Sequence, residues 1–153
     1  LYSSVVLIVI GSASIFGWIL ATEQLPMHVQ GFLIGLTDNR HVMFLLIVIS
    51  LLLIGMIMEG LAAMVILVPI LTPVAANFGY DPIHFALVIL LCLGIGTLTP
   101  PVGIVLYTVC AVSGTPPSAV GRTIWIYVLG MLMVTLLVTF VPLLATFLPG
   151  VFY

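Results

Sequence analysis

Two stretches place polar chemistry inside otherwise apolar runs. The first is Leu93–Leu106, LGIGTLTPPVGIVL, which holds Gly94, Gly96 and Gly103, the hydroxyls of Thr97 and Thr99, and the adjacent Pro100 and Pro101. Each of these residue types weakens or breaks a helix. Thr99 is further biased to an extended backbone by the proline that follows it. The clustering predicts an unwound segment rather than a simple proline kink. Irregular backbone at membrane depth is tolerated where it lines a cavity or is buried in protein. Its carbonyls and the threonine hydroxyls offer oxygen ligands without a buried charge. Discontinuous helices bind sodium in this way in many secondary transporters.

The second stretch is GMIMEG, Gly55–Gly60, with Met58 and Glu59 between the glycines. One reading is a tight turn between two helices, with Glu59 in water at a membrane surface. The other is a hairpin tip at mid-depth, where Gly55 and Gly60 let the chain reverse. An ionisable residue within the membrane is a functional hypothesis by default. Glu59 would then help hold a cation, act as a proton site, or hydrogen-bond the tip. Direct contact with sodium is the least favoured of these, because apolar surroundings favour the protonated acid.

The other polar residues carry weaker signals. His84 follows Asp81-Pro82 in the first turn of a helix and reads as a polar interfacial residue in preference to a proton relay. His28 and His41 sit near loops, and Arg122 fits an interface near lipid phosphate. SGTPPS, Ser113–Ser118, is loop and helix-start chemistry, and the methionines read as core packing. Cys92 and Cys110 lie in apolar runs, which predicts buried thiols rather than a disulfide or metal spacing. No nucleotide-binding loop, zinc spacing or nucleophile triad is present. The sequence therefore supports no enzyme, no cofactor and no ATP hydrolysis.

Composition says what must position these groups. Hydrophobic residues make up 64% of the 153 residues and charged residues 4%. Soluble domains carry roughly 25% charged residues, so the chain reads as an integral membrane protein embedded in a lipid bilayer. The class is all-α, since the short alternating segments of a barrel are missing. Net charge is −2 with two basic residues, too few for a nucleic-acid surface. The chain starts at Leu1, almost directly in an apolar segment, and reads as part of a longer polypeptide.

Charged residues and prolines divide it. Residues 1–40 should hold a spanning helix, Ser3 to Ala21, and a shorter interfacial or re-entrant helix opening at Pro26. Thr37–Arg40, TDNR, has helix-capping chemistry. A straight helix over His41–Phe78 would be about 57 Å long, against a hydrocarbon core of about 30 Å. Residues 41–78 must therefore bend back, with the tip at 55–60. NFGYDP, Asn77–Pro82, is a turn in which Gly79 caps one helix and Asp81-Pro82 starts the next. Residues 82–112 form a second over-long run, about 45 Å if helical, broken at 94–103. Residues 119–148 hold the last spanning helix, with a kink at Pro142. If 41–78 folds back, Arg40 and Asp81 share one side and Arg122 lies opposite. One arginine per side gives no orientation.

GMIMEGLAAMVILVPILTPVAANFGYDPIHFALVILLCLGIGTLTPPVGIVLY resembles the C-terminal part of the large membrane subunit of TRAP (tripartite ATP-independent periplasmic) transporters. The ordered composite of G-x-x-x-E, P-x-x-x-P, G-x-D-P-x-H-F and G-x-x-T-P-P-V-G carries the likeness. It is strong over about Leu51 to Tyr107 and less specific in the flanks. The resemblance implies one repeat of an inverted-repeat, ion-transporter-superfamily elevator fold, with a re-entrant hairpin and an unwound transmembrane helix. It implies sodium ligands from the carbonyls of Gly55, Gly94 and Gly96 with Thr97 or Thr99. Gly55–Gly60, with Met58, Glu59 and Gly60, would form the hairpin tip, facing the unwound segment Gly94–Gly103 with Pro100, Pro101 and Gly103. It also implies an N-terminal repeat, a small four-helix membrane subunit and a soluble periplasmic substrate-binding protein as partners. The place is the bacterial inner membrane, and the cargo an organic acid such as a dicarboxylate or sialic acid. Another carboxylate or proton-coupled carrier of that superfamily, or a structural membrane subunit without an ion site, are the alternatives.

Overall fold

The computed structural model describes residues 11, 15, 18–19, 22–37, 39–100 and 103–152. The span expected over Ser3–Ala21 falls mostly outside them, as do Pro101 and the side chain of Arg122. The described residues are helical, without a strand. The helices are α1 (Leu25–Leu36), α2 (Arg40–Ile57), α3 (Gly60–Asn77), α4 (Pro82–Leu98), α5 (Ile104–Ser113), α6 (Pro117–Phe140) and α7 (Leu143–Phe152). Among the described residues, three helical stretches are long and apolar enough to cross a membrane: Arg40–Ile57, Gly60–Asn77 and Thr123–Phe140.

Capping residues set the boundaries. The Asn39 side chain accepts from the His41 N–H at 3.0 Å and starts α2. Asp81 Oδ1 accepts from the N–H groups of Ile83 and His84 and starts α4, with Pro82 at its first position. Such caps satisfy amide hydrogens that a helix start leaves free. Gly79, with φ of 67°, closes α3, and the Tyr80 N–H reaches back to the Ala75 carbonyl at 3.0 Å. That is the Schellman pattern the sequence anticipates.

The run from residue 41 to 78 is broken only at Met58 and Glu59. Its two arms measure about 27 Å each at about 1.5 Å per residue. The second arm returns to the base of the first. The Phe44 and Tyr80 rings lie 4.3 Å apart, and the Arg40 guanidinium sits 4.7 Å above the Tyr80 ring. The Tyr80 hydroxyl donates to the Arg40 carbonyl.

Helix α4 is the centre of the bundle and packs against α2, α3, α5, α6 and α7. Along α2 the inward stripe is Met43, Ile47, Leu51 and Gly55, at four-residue spacing. Along α4 it is Phe85, Ile89, Cys92 and Gly96. Both stripes begin on large side chains and end on glycine, so the helices draw closest near the tip. Cys92 and Cys110 are buried free thiols.

Three boundaries differ from expectation. The tip is narrower than 55–60, because Gly55 is still helical and buried. The break expected at 94–103 starts only at Thr99: Gly94, Gly96 and Thr97 remain helical in α4. Two glycines cost a helix about 1 kcal/mol each, too little to unwind a segment whose carbonyls have no alternative donors. The prolines remove the hydrogen bonds outright, and the helix ends there. Pro142 likewise does more than kink the last run, which divides into α6 and α7.

Candidate functional site

The hairpin tip and the end of α4 meet. A Cβ added to Gly96 would stand 2.4 Å from the Gly55 carbonyl carbon, 2.6 Å from its Cα and 2.7 Å from its oxygen. One Cα hydrogen of Gly96 thus points at the Gly55 peptide, a geometry that suits a weak Cα–H···O contact. Small residues at such crossings let membrane helices approach through their backbones. One turn further on, a Cβ at Gly60 would lie 3.6 Å from Thr97 Cγ2.

Around that crossing the backbone runs out of donors. Pro100 and Pro101 carry no N–H, so the α-helical donors for the carbonyls of Gly96 and Thr97 do not exist. The Gly96 carbonyl accepts instead from the Thr99 N–H at 3.0 Å. Across the gap, α2 ends with the Met58 N–H on the Ile54 carbonyl. The next amides are diverted: Leu61 and Ala62 donate to Glu59 Oε1 and Oε2 at 3.0 and 2.9 Å. The Ile57 carbonyl thereby loses the donor that a continuous helix would give it. Gly103, with φ of 45°, takes the left-handed conformation that lets the chain re-enter α5.

Of the five candidate ligands Gly55 belongs to α2, and the other four divide between two faces of α4. Gly94 and Thr97 line a groove of about 230 Å³ with Gly60, Leu61 and Met64. Gly96 and Thr99 line another of about 270 Å³, beside Met56 of α2 and Trp125 of α6. Thr97 Oγ1 donates to the Gly94 carbonyl at 2.8 Å, and the buried Thr99 Oγ1 donates to the Ile95 carbonyl at 2.7 Å. Each hydroxyl oxygen keeps a lone pair for a further partner. Gly55 and Gly96 are therefore brought together, as are Gly60 and Thr97, while Thr99 faces a different groove. Pro100 is half-buried at the break. Among the described residues no three His, Cys, Asp or Glu side chains converge as metal ligands.

Glu59 is exposed, and both its oxygens cap α3. Of the roles open to it, hydrogen-bonding the tip is the one this geometry fits. A negative group also suits a helix N-terminus. His84, expected at an interface, is 1% exposed and lies inside the bundle. Its place on the inward stripe of α4, beside Phe85 and Val88, is the signal that could have marked it. His28 and His41 are exposed.

Comparison with known proteins fits the same frame. Residues 1–144 match the family described as "Tripartite ATP-independent periplasmic transporter, DctM component". The chain is 38% identical over 150 residues to the sialic acid TRAP transporter large permease protein SiaM of Vibrio cholerae, covering 98% of this chain and 35% of that protein. It is 36% identical over 148 residues to the isethionate TRAP transporter permease protein DctMQ of Oleidesulfovibrio alaskensis, covering 97% of this chain and 23% of that protein. It is 34% identical over 142 residues to the C4-dicarboxylate TRAP transporter large permease protein DctM of Pseudomonas aeruginosa, covering 93% and 33%. The chain thus spans about a third or less of the length of these relatives. All three are transport permeases rather than enzymes, and this chain belongs to the large-permease, DctM family of TRAP transporters.

Proposed function

We propose that this chain is one repeat of a sodium-coupled secondary transporter that imports an organic acid across the bacterial inner membrane. The observation that carries the reading is the Gly55–Gly96 crossing, which sets a hairpin tip against a proline-ended helix. Carbonyls without helical donors lie beside it in an apolar bundle, with the Thr97 and Thr99 hydroxyls on two faces of α4. Such neutral oxygens suit a hard monovalent cation. The Gly94 and Thr97 face, beside Gly60, is the better candidate for the ion, since it opens onto the tip groove. The Gly96 carbonyl and Thr99 would support it from the other side of α4. Bound sodium would supply the driving force of its own gradient.

The rest of the permease, with an inverted N-terminal repeat, completes the site in this reading. A small four-helix membrane subunit and a soluble periplasmic binding protein that delivers the acid complete the transporter, and the repeats move by an elevator motion. The named relatives carry sialic acid, isethionate and C4-dicarboxylates. What these share is an anionic organic acid, and that class is proposed for the substrate here.

The test uses the full-length permease with its partner subunits in proteoliposomes, with Thr97→Ala and Thr99→Ala. Uptake should need more sodium, by about tenfold for each 1.4 kcal/mol of lost ion binding, with the Thr97 variant affected more. Unchanged sodium dependence in both variants overturns the ion site.

A further inference from the structure

Pro142 divides the C-terminal apolar run, and helix chemistry identifies the atom it strands. In an α-helix the amide of residue 142 donates to the carbonyl of residue 138, but proline has no amide hydrogen. The ladder reaches Val141, whose N–H donates to the Leu137 carbonyl at 2.9 Å, and there it stops. The Val138 carbonyl is not left bare. His84 Nε2, from the first turn of α4, lies 2.8 Å from it. Both residues are buried. A carbonyl only accepts, so Nε2 carries the hydrogen and Nδ1 of the neutral ring is a lone pair. Nδ1 is buried and has no partner among the described residues. The ring also stands edge-on to Phe44 at 5.3 Å, and the His84 N–H is held by Asp81.

We propose that His84 is a positioning residue whose Nε2–H stands in for the amide hydrogen that Pro142 lacks. The break between α6 and α7 is then built on α4 rather than on the C-terminal run itself. Val138 and Ala145, on either side of the break, join the same buried cluster as Phe44 and Phe85. The imidazole thus ties three things at one point: the first turn of α4, the hairpin base through Phe44, and the C-terminal break. Helix α4 carries Gly96 at its far end, so the C-terminal helices are fixed to the body that holds the glycine crossing. His84 touches none of the candidate ion ligands, and this inference stands or falls apart from the sodium reading.

The first test is spectroscopic and uses the full-length permease with its partner subunits in lipid nanodiscs with ¹⁵N-labelled histidine. The signal lost in His84→Gln assigns the ring. The expected ring has a protonated, hydrogen-bonded Nε2 and an unprotonated Nδ1. The opposite tautomer overturns the proposal. The second test is a rescue. His84→Leu keeps the bulk and removes the donor, and should raise the unfolded fraction about tenfold. His84→Gln, whose amide reaches about as far as Nε2, should recover most of that. Pro142→Ala restores the amide hydrogen, so His84→Leu should cost less in a Pro142→Ala background. Equal losses for Leu and Gln, or no relief from Pro142→Ala, overturn the proposal. Should His84→Leu not fold, His84→Asn, whose amide is too short to reach, takes its place in the same comparison.

Discussion

Gly96 of α4 rests on the peptide of Gly55 in α2, so closely that neither helix has room for a methyl group on Gly96. The contact lies at the end of two buried stripes and just before both chains lose helical geometry. Close packing and chain breaking therefore meet in one place. The crossing holds the helix ends in register, and the tip residues and the prolines free their carbonyls beside it.

Alanine substitutions at three glycines should separate these effects. Gly96→Ala drives Cβ into backbone atoms, which do not yield as a flexible side chain would. Overpacking costs about 1–3 kcal/mol, against about 1 kcal/mol gained in helix propensity. The net result should be a loss. At Gly55 the nearest atom is the Leu93 Cα at 3.3 Å, so Gly55→Ala should be near neutral. A Cβ added at Gly94 would meet no other part of the described residues within 4 Å, and Gly94→Ala should gain about 1 kcal/mol. Unfolding midpoints in detergent rank the three. A Gly96→Ala chain as stable as Gly94→Ala would mean that the crossing has room for a methyl group.

Glu59 should matter as a cap before it matters as a charge. Glu59→Ala removes the acceptor of two amides at the start of α3 and should cost about 1 kcal/mol. Glu59→Gln keeps one oxygen and should cost less. Hydrogen exchange reads this directly: the amides of Leu61 and Ala62 should lose protection in the alanine variant. Unaltered protection there would remove the capping role.

Much of this architecture is legible in the sequence, because length and punctuation are simple constraints. Two apolar runs too long for the bilayer must each be interrupted, and the candidates are GMIMEG and GIGTLTPPVG. The caps at Asn39, Gly79 and Asp81 follow from local chemistry alone. What the sequence conceals is extent and facing. Glycines suggest unwinding, yet Gly94 and Gly96 stay helical because nothing competes for their hydrogen bonds until Pro100. The separation of Thr97 from Thr99 onto two grooves depends on where α4 ends and what packs beside it. His84 is hidden for another reason. Its partner is a backbone carbonyl far along the chain, exposed by a proline whose effect looks purely local.

Restoring amide hydrogens at the break should act on the proposed ion site without touching a side-chain ligand. Pro100→Ala with Pro101→Ala gives the carbonyls of Gly96 and Thr97 their missing α-helical donors. Helix α4 should then extend towards Gly103, and the carbonyls should turn into its ladder. Sodium dependence of uptake in the full-length transporter should weaken while helical content rises. A rise in helicity with unchanged sodium dependence would assign the ion to other oxygens.

The base of the hairpin should respond to alkaline pH through Tyr80. Its burial pushes the phenol above the ordinary tyrosine value, and the Arg40 guanidinium over the ring pulls only partly the other way. The folded chain therefore holds this proton more tightly than the unfolded chain does. The contribution to stability is complete below the unfolded value, about 10. It is lost as pH rises through the higher folded value. Loss of the proton also removes the hydroxyl's hydrogen bond to the Arg40 carbonyl, which joins the start of α2 to the end of α3. Tyr80→Phe lacks that bond at every pH and should be less stable near neutrality, by about 1 kcal/mol. It should also lack the alkaline transition. Unfolding followed from pH 9 upward, with tyrosinate absorbance recorded alongside, distinguishes the two chains. An identical alkaline loss in Tyr80→Phe would place the responsible proton on another group.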